Sequence, residues 1–89
     1  MASASSISRI VRAHDSTSRR LVQMIQSKDG EVVSIWPPNA SRRQTAALSR
    51  IRRLLISRGY QVESVRSAEV RSLSGLPQYY LLVSGRASR

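Results

Sequence analysis

The stretch SRRQTAALSRIRRLLISRGY, residues 41–60, reads as a helix with its start and stop signals. Pro37-Pro38 ahead of it ends any strand arriving from upstream, because neither residue can donate to a ladder. Asn39 or Ser41 supplies an N-cap, and Gly59 stands where helices end on a left-handed residue. Between these stops, a helix over 42–58 gathers Ala47, Leu48, Ile51, Leu54 and Leu55 on one side at 100° per residue. Arg42, Ala46, Ser49, Arg50 and Arg53 fall on the other. Arg43 and Arg52 lie at the flanks, Ile56 sits out of place among polar residues, and Arg58 meets the negative end of the dipole.

The remainder must pack around that helix. Residues 1–6 are small and polar and are expected to form a mobile N-terminus. Ile7, Ile10 and Val11, spaced i, i+3, i+4, predict a short helix over 5–13. The run HDSTS (14–18) is rich in capping residues and starts a second helix over 16–28, with Leu21, Val22, Met24 and Ile25 buried and Gly30 at its end. The same segment also reads as a β-hairpin turning at Asp29-Gly30. Gln23, Met24, Gln26 and Lys28 favour the helix. EVVSIW (31–36) is a strand. YQVESVRSAEV (60–70) and QYYLLVS (78–84) form a hairpin with the tip RSLSGLP at 71–77. GRASR (85–89) makes a basic tail. With no repeat and no linker in 89 residues, one α+β domain over 7–84 is expected.

Charge then narrows the function. Fifteen Lys+Arg oppose five Asp+Glu, for a net +10. Repulsion of that size weighs against a compact state unless a polyanion offsets it. A solvated helix face normally mixes Glu with Arg at i,i+4, and here no acid of the helix offsets its arginines. Ala46 and Ser49 are short enough to bring the backbone near a groove floor. Arg42, Arg50 and Arg53 would reach phosphates or guanine edges, and Arg43 and Arg52 phosphates. Arg66 and Arg71 bracket the hairpin tip and form a second basic element. The expected partner is double-stranded DNA. Two alternatives stand beside it: an RNA-binding or ribosome-associated α+β protein, and a phage- or plasmid-type factor docking on an acidic protein. A homodimer through Ile7, Ile10 and Val11 is a further expectation.

Other chemistry lacks its residues. There is no cysteine, and His14 is the only histidine. Asp15, Asp29, Glu31, Glu63 and Glu69 are scattered, with no pair suited to acid–base work. No phosphate-cradling glycine motif is present, and none of the 17 serines has an evident base. The expectation is a non-enzyme with no metal and no cofactor. No run approaches the length of a membrane span. The start MASASSISRIVRA has the Ser- and Arg-rich, acid-free composition of an organelle transit peptide. The expected location is nonetheless the cytoplasm, on the nucleoid.

The segment TAALSRIRRLLISRGY (45–60), followed by a hairpin ending QYYLLVS, resembles the recognition helix and wing of MarR-like winged-helix proteins. The preceding WPPNAS is similar to small bacterial members of that group, so the resemblance spans 36–84. It implies a winged helix-turn-helix fold: N-terminal helices, a recognition helix at 42–58 lying in the major groove, and a wing at 66–77 on the backbone. By that resemblance Arg42, Arg43, Ala46, Ser49, Arg50 and Arg53 line the DNA-facing side, in a protein that regulates transcription. One departure is visible. Only PPNAS is available for the helix that normally precedes the recognition helix. Either that helix is a single turn, or the helix at 16–28 takes its place.

Overall fold

A computed structural model describes residues 2–71 and 77–86. The elements run α1 (Ala4–His14), α2 (Ser16–Leu21), β1 (Gln23–Gln26), β2 (Val33–Trp36), α3 (Arg42–Ser57), β3 (Tyr60–Arg71) and β4 (Pro77–Arg86). The strands form an antiparallel sheet in the order β1-β2-β4-β3. β2 and β3 therefore run parallel with β4 between them, and α3 connects the two across one face. The helices pack on that face.

Period-2 alternation decides which strand residues meet the helices. Val33 and Ile35 of β2 and Leu81 and Val83 of β4 are fully buried beneath them. Ile7 and Val11 of α1 and Ala47, Leu48, Ile51 and Leu55 of α3 complete the core, joined by Val22 and Tyr60. The apolar side of α3 is the one its periodicity predicts. Its start is a capping box: the Ser41 hydroxyl accepts from the Gln44 amide, and Gln44 reaches back to the Ser41 amide. Gln44 Oε1 also accepts from the Asn39 amide at 2.8 Å. Gly59, at φ +89, ends the helix.

The second helix is shorter than expected. It stops at Leu21 instead of running to residue 28. Val22 is already extended (φ −126, ψ 162), and Gln23–Gln26 pairs with Val33–Trp36 in register Met24↔Ile35. The hairpin reading therefore holds for 23–36. Asp29 Oδ1 accepts from the Ser27 hydroxyl at 2.6 Å and the Glu31 amide at 3.1 Å, and Gly30 takes φ +73. A strand that half-buries Met24 against Ile35 outweighs the weak helix preference of Gln and Met. Of the four residues expected inside, Val22 is buried, Leu21 and Met24 are half-buried, and Ile25 is 46% exposed.

Residues 2–4 and 85–86 are placed differently from expectation. Ala2 is buried and Ser3 caps α1, while Ser3, Ser5 and Ser6 stay exposed. One side chain ties this segment to β1. Gln26 Oε1 accepts from the Ala4 amide at 2.7 Å, and Gln26 Nε2 donates to the carbonyls of Ala2 and Gly30 at 2.7 and 3.0 Å. At the other end, β4 runs on through Gly85 and Arg86. Gly85 is buried at φ +109 beside a register shift between Tyr60↔Arg86 and Val62↔Val83, a β-bulge that favours glycine. Between β2 and α3, PPNAS makes a turn closed by the Ala40 amide on the Pro37 carbonyl at 3.0 Å, with Ala40 left-handed at φ 49. It is not a helix.

Candidate nucleic-acid interface

α3 turns its polar side away from the sheet. Arg42, Arg43, Ala46, Ser49, Arg50, Arg52 and Arg53 are all exposed, as the face analysis expected. Arg42 and Arg53 are three turns apart on one outward line, about 16 Å along the axis, with Ala46 and Ser49 between them. Among the described residues Arg42, Arg43, Arg52 and Arg53 have no side-chain partner. Arg42 and Arg43 also occupy the first turn of α3, where no acid is present. Cations there face the positive end of the helix dipole, and an external anion would relieve them.

Arg50 is different, and here the expectation of an unopposed arginine face needs correction. Asp15, at the junction of α1 and α2, comes back to α3. Its Oδ1 accepts from the Ser18 amide at 3.0 Å and its Oδ2 from the Ser18 hydroxyl at 2.5 Å. Arg50 Nε donates to Asp15 Oδ2 at 3.2 Å and to the fully buried Ser18 Oγ at 3.0 Å. The Ser18 hydrogen bonds, assisted by Arg50, hold the Asp15 carboxyl below the ordinary carboxylate value. This network caps α2 and fastens it against α3. Sequence reasoning assigned Asp15 a capping role but missed its partner 35 positions away; nothing local signals that contact. Arg58 is likewise engaged, with His14 at the end of α1.

The hairpin adjoins the same surface. Tyr79 of β4 brings its hydroxyl to 3.4 Å from Ser49 Oγ. Arg66 pairs directly across from Tyr79, so its side chain leaves the sheet on the α3 side, exposed. Among the described residues it has no partner. The structure thus links Arg66, through its cross-strand neighbour Tyr79, to the Ser49 side of α3. The Arg71 side chain and the tip at 72–76 lie outside the described residues, so the expected wing is represented by its base.

The N-terminal dimer contact is not available. Ile7 and Val11 are fully buried in the chain's own core, and Ile10 packs against it. Among the described residues no helix is long and apolar enough to cross a membrane. Family models, curated proteins and solved structures were all compared with the chain, and none matches.

Proposed function

We propose that the protein binds double-stranded DNA through the outward line of α3 and serves in transcription regulation or DNA organisation. The observation that carries this reading is a set of exposed, unpartnered arginines around Ala46 and Ser49, in a chain of net charge +10. Arg42 and Arg53 contact bases or phosphates in the major groove, while Arg43, Arg52 and Arg66 hold phosphates. The succession of α3 and the β3–β4 hairpin supports a winged-helix mode of docking. The region before α3 is arranged otherwise: a turn at 37–40 replaces the preceding helix, and α2 packs beside α3.

Fluorescence anisotropy with a labelled duplex and the nuclease-treated full chain tests the proposal. Neutralising the phosphates opposite the five free arginines makes log K fall with log salt at a slope of about −4 to −5. Absence of binding at low salt overturns the proposal. A structured RNA bound more tightly than the duplex reassigns the same surface to RNA.

A further inference from the structure

Among the described residues, nothing covers the sheet face turned away from the helices. Ile25, Trp36, Val65, Tyr80 and Leu82 project from it by strand alternation and register. Ile25 is 46% exposed and the others are half-buried by their neighbours alone. Trp36 and Tyr80 stack face to face at its centre, ring centroids 4.0 Å apart and planes 14° apart. Polar Gln23, Glu63, Gln78 and Ser84 surround them. An apolar, aromatic centre inside a polar rim is the anatomy of a protein–protein contact.

Charge selects the occupant. Among the described side chains the bare face carries one formal charge, Glu63. The arginines whose side chains are described lie instead on the helices, on the cap of α3, or at Arg66 on the helix side of β3. Phosphate is therefore not what this face is built to meet. The stacked rings also cover one another's inner faces. A second copy of this chain faces strong repulsion from a +10 molecule in every orientation that opposes the arginines, and least in the one that opposes two bare sheets.

We infer that two copies of the chain associate through these bare faces, packed sheet on sheet. Such packing sets the sheets about 10 Å apart and leaves both α3 helices on the outside. At about 4.8 Å between strands, the four-residue β1 and β2, about 13 Å long, and the longer β3 and β4, about 30 Å, give a face on the order of 400 Å² in projection. That is the small end of specific interfaces, so a dissociation constant on the order of 10–100 µM is expected. The association itself does not depend on the proposed DNA binding; only the statement that each outer surface takes a duplex rests on it.

Sedimentation velocity of the nuclease-treated chain, over roughly a hundredfold range of concentration spanning that constant, is the test. Wild type is expected to shift from monomer to dimer as concentration rises. Added salt should strengthen the dimer by screening repulsion, the reverse of its effect on duplex binding. Leu82→Glu and Ile25→Glu each bury a charge in the contact and are expected to weaken it about tenfold or more. Ile25 lies exposed on a short edge strand, so its replacement leaves the fold intact, as a thermal melt will verify. Duplex affinity of the Ile25→Glu variant and dimerisation of Arg53→Ala separate failure of this inference from failure of the DNA proposal. A wild type that stays monomeric across the range, or variants that dimerise unchanged, overturns it.

Discussion

Arg50 and Arg53 stand less than one turn apart on the outward side of α3, yet their surroundings give them different tasks. Arg50 is held by Asp15 and Ser18, whereas Arg53 has no partner among the described residues. Arg53→Ala should lower duplex affinity and reduce the magnitude of the salt slope by about 1, with the melting temperature unchanged. Arg50→Ala should instead destabilise the fold by about 1 kcal/mol, because it leaves the buried Ser18 hydroxyl and Asp15 short of a donor, with a smaller effect on binding. Anisotropy and thermal melts on the same samples separate the two. Asp15 adds a pH signature. Its carboxyl is held below the ordinary value of 3.8, so the folded state favours the ionised form. The resulting stability is complete above that range and is lost as pH falls through the lowered value. Asp29 is shifted in the same direction by Ser27 and the Glu31 amide. Asp15→Asn keeps a competent N-cap and should shallow the acid limb of a melting-temperature profile without abolishing it.

At the scale of elements, what could be read from sequence was what is encoded locally. The caps, stripe and stop of α3 lie within 20 residues, and each acts through neighbours in the chain. Gly59 makes the point testable. A Cβ built there meets nothing within 4 Å, so the effect of Gly59→Ala comes from its φ of +89 alone, and a chemical melt should register a loss of about 1 kcal/mol. β1 was legible only as the less favoured alternative. Gln23, Met24 and Gln26 lean only weakly towards helix, and pairing with β2 decides the outcome. The anchoring of Ala2 and Ala4 was hidden for a similar reason: it rests on Gln26, a side chain 22 positions from Ala4. The face of α3 was read correctly, but the engagement of Arg50 was not, since Asp15 reaches it only after α2 has docked. Leu55, fully buried from α3, is expected to cost about 2–5 kcal/mol on change to alanine, measurable in the same melts.

The whole molecule has two sides of opposite character. On one side lie the helices and the arginines whose side chains are described. The other is a sheet whose outer face carries aromatic and aliphatic side chains and little charge. The two proposals predict opposite responses to salt on these sides, so one titration series tests both. Trp36 sharpens that separation. It is the sole tryptophan of the sequence, and it sits on the sheet side, stacked on Tyr80 with α3 beyond the core. The chain therefore carries a built-in optical reporter for one surface alone. A saturating duplex at α3 should leave the emission maximum where it is, while a protein surface closing over the sheet should move it to shorter wavelength.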